Sequence, residues 1–152
     1  HQLLREHAEG AVRAVETGSV TESVEAVTES TILLSGLGFE NGGLAAAHAI
    51  HDGLTTLPET ASATHGEKVT VGLLAQLLLE GAPDETIDDV VGFAESVGLP
   101  TGLADIGVND PSDAKLREVG RLATAPEEPM TNMSADVSPE QVADALRVLD
   151  DL

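Results

Sequence analysis

The sequence contains no cysteine, no tryptophan and no tyrosine, and only two phenylalanines, Phe39 and Phe93. Without cysteine, the chain can form neither disulfides nor thiolate metal sites. A core without large aromatic rings has to be built from leucine, valine, isoleucine and alanine. Because 41% of the 152 residues are apolar, we expect one folded domain with a real core rather than a disordered chain.

Basic residues are also scarce, since 7 lysines and arginines face 27 acidic residues, for a formal net charge of −20. Such a surface repels nucleic acids and anionic membranes, so we expect neither as a partner. With only two lysines, Lys68 and Lys115, the composition favours a halophilic protein adapted to high salt. No apolar run is long enough to span a membrane, and the first residues do not resemble a signal peptide, so we expect a cytoplasmic location.

Hydrophobic periodicity predicts an all-α fold, a helical bundle without strands. A glycine-rich turn is expected at 36–43, and a capping box at Ser19 and Glu22 is expected to begin the second helix. The helices at 44–57 and 66–80 are the most apolar and should lie at the centre of the bundle. The predicted helices cover residues 3–16, 19–34, 44–57, 66–80, 84–97, 112–124 and 139 to the end.

Three histidines, His48, His51 and His65, lie in or beside these two central helices. A buried imidazole needs a partner, which is either a hydrogen-bonding group of the core or a metal ion. Imidazole suits zinc, iron and nickel. The spacing does not decide which pair of histidines would bind, and a catalytic site needs a further ligand. Candidate acids without a compelling spacing are Asp52, Glu40 and Glu67, and the third ligand can lie outside the chain.

Two segments together carry a family resemblance: GLGFENGGLAAAHAIHDGL at 36–54 and HGEKV at 65–69. Their residues and the gap between them resemble the glycerol dehydrogenases, which belong to the metal-dependent (group III, iron-containing) alcohol dehydrogenase superfamily. The turn at 97–100 and the pair Asn132 and Met133 are also similar. Thr131 departs from the pattern, because relatives often have histidine there.

The resemblance implies a two-domain enzyme of which residues 1–152 are the C-terminal, all-helical, metal-binding domain. An N-terminal α/β domain that binds NAD is absent from this chain, as is an aspartate ligand. The resemblance assigns the metal, Zn²⁺ or another divalent ion such as Fe²⁺, to His48 and His65. It gives His51 a catalytic role outside the direct ligands, and it places Phe39 at the substrate pocket.

The implied reaction oxidises glycerol, a small polyol, to dihydroxyacetone. The metal stabilises the alkoxide as a Lewis acid, and hydride passes to NAD⁺. The chain alone is expected to be inactive, and the complete enzyme is expected to form a homo-oligomer. Two alternatives stay open: a related polyol or glycerol-1-phosphate dehydrogenase domain, and a non-catalytic acidic helical module.

Overall fold

The computed structural model describes residues 1–149, and within this range the chain is helical and has no strand. This confirms the predicted all-α class. The chain divides into two compact units, one formed by residues 1–43 and the other beginning at Leu44. No helix among residues 1–149 is long and apolar enough to cross a bilayer.

The first unit contains α1 (Gln2–Glu16), α2 (Glu22–Glu29) and α3 (Ser35–Gly42). One π-helical turn, Ser30–Leu34, joins α2 to α3, so that the backbone stays helical from Glu22 to Gly42. Apolar side chains on this segment remain exposed within the unit, among them Ile32, Leu37 and Phe39.

The predicted glycine-rich turn at 36–43 is wrong, because the helix continues through Gly36 and Gly38. A helical glycine costs about 1 kcal/mol relative to alanine, which neighbouring contacts can offset. Here Ser35 Oγ donates a hydrogen bond to the carbonyl of Thr31 at 2.6 Å, and Asn41 Nδ2 donates one to that of Leu37 at 2.6 Å. The chain turns only at Gly43, where φ is 69°.

The predicted cap of the second helix is also displaced. Thr21, rather than Ser19, is the N-cap of α2, and its side chain accepts a hydrogen bond from the amide of Val24. Both residues have a hydroxyl that can cap a helix, and periodicity alone locates a helix end only to within a few residues.

The second unit contains α4 (Ala46–Thr55), α5 (His65–Leu79), α6 (Asp84–Ser96), α7 (Asp113–Ala123) and α8 (Pro139–Leu149). Helix α4 packs against both α5 and α7, and α8 packs against α5 and α7. Short 3₁₀ turns interrupt the connections at Pro58–Ser62, Ala104–Ile106 and Pro129–Asn132. The two central helices predicted from the sequence are therefore α4 and α5.

The core of this unit is aliphatic, as the composition requires. Its buried residues are alanine, leucine, isoleucine and valine with one methionine, Met130, and no aromatic side chain belongs to it among the residues described. Alanine is small enough to let helices approach closely. The fully enclosed side chains include Ile50 and Leu54 of α4, Leu74 of α5, Leu116 of α7 and Leu146 of α8.

Candidate metal centre

Helices α4 and α5 are held in register by two contacts at Ala47. Gly72 of α5 lies so close to the carbonyl of Ala47 that a Cβ there would overlap with the oxygen. Gln76, one turn further along α5, accepts a hydrogen bond from the Ala47 amide at 2.9 Å. Because α4 has no side-chain cap of its own, Gln76 satisfies one of its unpaired N-terminal amides. His48 is thereby fixed relative to α5.

His65 is the first residue of α5, and its position depends on a capping box. Thr64 Oγ1 accepts a hydrogen bond from the Glu67 amide at 3.3 Å, and Glu67 Oε2 accepts one from the Thr64 amide at 2.6 Å. These reciprocal bonds define where the helix begins. The loop before α5 thus delivers His65 to the face of α4 that carries His48 and His51.

Removing the Thr64 hydroxyl should loosen this end of the helix. We expect Thr64→Ala to lower the free energy of unfolding by about 1 kcal/mol, because the Glu67 amide loses its acceptor. Thr64→Ser keeps a hydroxyl and should restore most of the loss. Urea unfolding of the three proteins measures the effect, and equal midpoints for all three would contradict the role of the cap.

The structure brings the three predicted histidines together. The ring centroids of His48 and His65 are 5.5 Å apart, and those of His51 and His65 are 4.3 Å apart. Two imidazoles that share one tetrahedral ion at about 2.1 Å from each nitrogen have centroids roughly 5 Å apart. The separation of His48 and His65 therefore fits a shared metal ion.

His51 has partners on both ring nitrogens. Its Nδ1 lies 2.8 Å from Asp52 Oδ1, and its Nε2 lies 3.0 Å from His65 Nδ1. With its hydrogen-bonding capacity used in this way, His51 lies beside His65, and its Nε2 is directed at that ring. This position is compatible with the indirect role predicted for it.

Burial favours the neutral form of two of these imidazoles, His48 and His51. Burial lowers the pKa of His48 below its ordinary value, and the nearby His65 and His51 lower it further. Burial also lowers the pKa of His51, although its hydrogen bond to Asp52 opposes the shift. Only a neutral imidazole has a lone pair for a metal. The lowered pKa of His48 thus favours the form of this residue that can bind a divalent cation.

The three acids considered as a third ligand make other contacts or lie on another element. Asp52 is bonded to His51, Glu67 belongs to the capping box, and Glu40 lies on α3 in the first unit. Among residues 1–149, no group of three or more His, Asp or Glu side chains is arranged to hold an ion. The predicted ligands His48 and His65 therefore have no third acidic or histidine partner placed with them among the described residues.

Phe39, the predicted substrate contact, lies on α3 of the first unit and is 55% exposed. Its role at a substrate pocket stays a prediction. The Asn132 side chain has a structural task that the sequence did not reveal. It donates a hydrogen bond of 2.7 Å to the carbonyl of Leu44, just before α4. Asn132 thereby ties the Pro129–Asn132 turn to the start of the helix that carries His48.

No family model matches the chain. Individual proteins and solved structures are nevertheless similar to it along nearly its whole length. A glycerol dehydrogenase from Thermotoga maritima is 47% identical over 150 residues, which cover 99% of this chain and 41% of that protein. The crystal structure of glycerol dehydrogenase from Schizosaccharomyces pombe superposes with a TM-score of 0.96 at 41% identity, covering 99% of this chain and 38% of the other. Nearly the whole chain is thus similar to one part of glycerol dehydrogenases, in sequence and in fold. It corresponds to the C-terminal part of these proteins, as the sequence motifs predicted.

A glycolaldehyde reductase from Halobacterium salinarum is 49% identical over all 152 residues of this chain and 42% of its own length. Relatives with different substrates in their names thus share the whole helical region. The chain spans about two fifths of the length of the curated relatives it matches. Similarity to these relatives therefore supports the fold more firmly than any one substrate.

Proposed function

We propose that this chain is the metal-binding part of an NAD-dependent glycerol dehydrogenase, which interconverts glycerol and dihydroxyacetone. The observation that carries the proposal is the convergence of His48 and His65, at a separation that suits one divalent ion, in a chain related to glycerol dehydrogenases along its whole length. The non-catalytic alternative gives no reason for two such rings to meet at the start of a capped helix.

In this proposal His48 and His65 would hold Zn²⁺ or another divalent ion such as Fe²⁺. The ion, when bound, supplies Lewis acidity that lowers the pKa of the substrate hydroxyl. The chain's own contribution is to fix the two ligands through the contacts of α4 and α5, and burial favours the neutral form of His48 by lowering its pKa. His51 would act beside the ligands, in contact with His65, and Phe39 would line the substrate pocket.

The remaining parts of the reaction require polypeptide beyond this chain. We propose that an N-terminal domain binds NAD and supplies the further metal ligand, so that the chain alone is inactive. Self-association of the complete enzyme and a cytoplasmic location stay predictions. The net charge of −20 further supports a protein that works at high salt, where counter-ions screen repulsion among its acids.

Reduction of glycolaldehyde is a second candidate activity, because the relative from Halobacterium salinarum carries that name at 49% identity. Both reactions interconvert a carbonyl and a hydroxyl on a small polar carbon skeleton. Residues 1–152 therefore serve either reaction equally, and the preference between them has to be measured.

The test is a substrate profile of the full-length protein. Zinc-loaded enzyme would be assayed with glycerol and NAD⁺, with dihydroxyacetone and NADH, and with glycolaldehyde and NADH. We expect kcat/KM to be highest for the glycerol and dihydroxyacetone pair. A higher value for glycolaldehyde would favour the second candidate, and turnover of glycerol 1-phosphate alone would favour the related dehydrogenase. No turnover of any substrate would contradict the proposal.

Zinc affinity should depend on pH in a direction set by the imidazoles. His48 has a lowered pKa, so protons should begin to compete with the metal only as the pH falls below the ordinary value of 6.5. We therefore expect an affinity that is steady above about pH 7 and falls steeply toward pH 5. Competition with a chelator across this range measures it. A constant affinity down to pH 5 would argue against histidine ligands.

A further inference from the structure

A line of hydrogen-bonded side chains runs from the proposed ligand His65 back to Asp52. His65 Nδ1 lies 3.0 Å from His51 Nε2, and His51 Nδ1 lies 2.8 Å from Asp52 Oδ1. An ionised carboxylate only accepts hydrogen bonds, and a neutral imidazole carries one hydrogen. These two facts determine where each hydrogen of the line must be.

The assignment starts at the carboxylate. Because Asp52 accepts, His51 must carry its hydrogen on Nδ1, which leaves Nε2 as an acceptor. Two groups lie near His51 Nε2: Thr55 Oγ1 at 3.5 Å already donates to the His51 carbonyl at 2.9 Å, which leaves His65 Nδ1, at 3.0 Å, as the donor. His65 therefore keeps its lone pair on Nε2, the nitrogen that remains available for a metal. One carboxylate thus determines the tautomers of two successive rings.

Asp52 is itself held from a different element. Glu128, in the connection between α7 and α8, is half-buried and hydrogen-bonds to the Asp52 side chain. Burial raises the pKa of Glu128, and the charge of Asp52 raises it further. Glu128 therefore contacts the Asp52 side chain from a second element and limits where its carboxylate can point.

We propose that Asp52, supported by Glu128, is a positioning residue that sets the tautomer of His51 and thereby presents Nε2 of His65 to the metal. Metal-bound histidines characteristically donate their other N–H to an acceptor that fixes the ring. Here the acceptor for His65 is the imidazole of His51, and the carboxylate of Asp52 acts on His65 through that imidazole. The metal part of this inference rests on the proposed function, whereas the tautomer part does not.

The tautomers can be measured without metal or substrate. Full-length protein with ¹⁵N-labelled histidine, stripped of metal, would be examined by NMR correlations that separate protonated from unprotonated ring nitrogens. We expect Nδ1–H tautomers for both His51 and His65. In Asp52→Ala, His51 should lose this preference and His65 should follow. Nε2–H on His51 in the native protein, or unchanged tautomers in Asp52→Ala, would overturn the inference.

Zinc affinity gives the second readout. We expect Asp52→Ala to weaken zinc binding about 10- to 100-fold, the usual effect of losing such an outer partner. Asp52→Asn keeps an oxygen acceptor and should recover most of the affinity. Asp88→Ala, at an exposed aspartate of α6, removes the same charge and should leave the affinity unchanged.

The two readouts separate failure of this inference from failure of the proposed function. If the native protein binds no zinc but shows the expected tautomers, the metal assignment is wrong and the positioning by Asp52 stands. If Asp52→Ala weakens zinc no more than Asp88→Ala does, Asp52 does not position the ligand. If Asp52→Asn is as weak as Asp52→Ala, the oxygen acceptor is not what matters, which also contradicts the inference.

Discussion

Replacing His65 by alanine in the full-length protein should abolish stoichiometric zinc binding and nearly all turnover. The substitution removes one of the two proposed ligands, so we expect the affinity to fall by more than the roughly 100-fold that loss of an outer partner costs. Loss of several kcal/mol of transition-state stabilisation corresponds to a decrease of about 10³-fold in kcat/KM. Metal analysis after dialysis and steady-state assays measure the two effects. His48→Ala should behave in the same way.

Two further variants make the result specific. His51→Ala keeps both proposed ligands, so its zinc loss should be clearly smaller than that of His65→Ala. His7→Ala changes a histidine of α1 in the first unit and should leave both zinc content and turnover unchanged. If His65→Ala kept full zinc occupancy, His65 would not be a metal ligand, and the proposed metal site would be wrong.

The sequence predicted the histidine pair because family motifs contained it, and not because periodicity located it. From spacing alone, His48 could have paired with His51 one turn away or with His65 across a loop. The structure places His65 near both rings, since the cap at Thr64 starts α5 at that residue. A hydroxyl followed three residues later by glutamate is a local signal, so this part of the geometry could be read from the sequence.

Other features of the site depend on contacts between distant segments, which periodicity does not encode. Gln76 caps α4 from 29 positions away, and Asn132 binds the carbonyl of Leu44 from 88 positions away. Glu128 reaches Asp52 from beyond α7. Each residue is polar and unremarkable in its own segment, so only the folded structure reveals its partner.

The glycine-rich segment at 36–43 shows the opposite case, in which a local sequence signal predicts a turn that the fold does not form. Because glycine disfavours helices, the sequence predicts that Gly36 and Gly38 belong to a turn. The preceding helix nevertheless continues through both, and only Gly43 adopts a positive φ. Helix propensity is a weak preference that surrounding structure overrides. Glycine also lets two helices approach closely, and the sequence alone does not show which glycines serve that purpose.

That second use leads to a large effect expected on the fold itself at Gly72, which lies against the Ala47 carbonyl. We expect Gly72→Ala to lower the free energy of unfolding by about 2 kcal/mol, although alanine is ordinarily the better helix former by about 1 kcal/mol. The added methyl would overlap with the backbone oxygen of Ala47, which cannot rotate away as a side chain could. Helices α4 and α5 would have to separate. Urea unfolding measures the stability.

Separation of these helices should also weaken the metal site, because His48 follows Ala47 directly while His65 lies two turns from Gly72 on α5. Ligand geometry tolerates displacements of only about 0.5 Å, so zinc affinity should fall together with stability. Gly92→Ala provides the matched control: this glycine is exposed on α6 with open space around it. The same change there should stabilise the protein by about 0.5–1 kcal/mol and leave zinc binding intact. If both variants were stabilised alike, the close approach of α4 and α5 would not be what holds the two histidines in place.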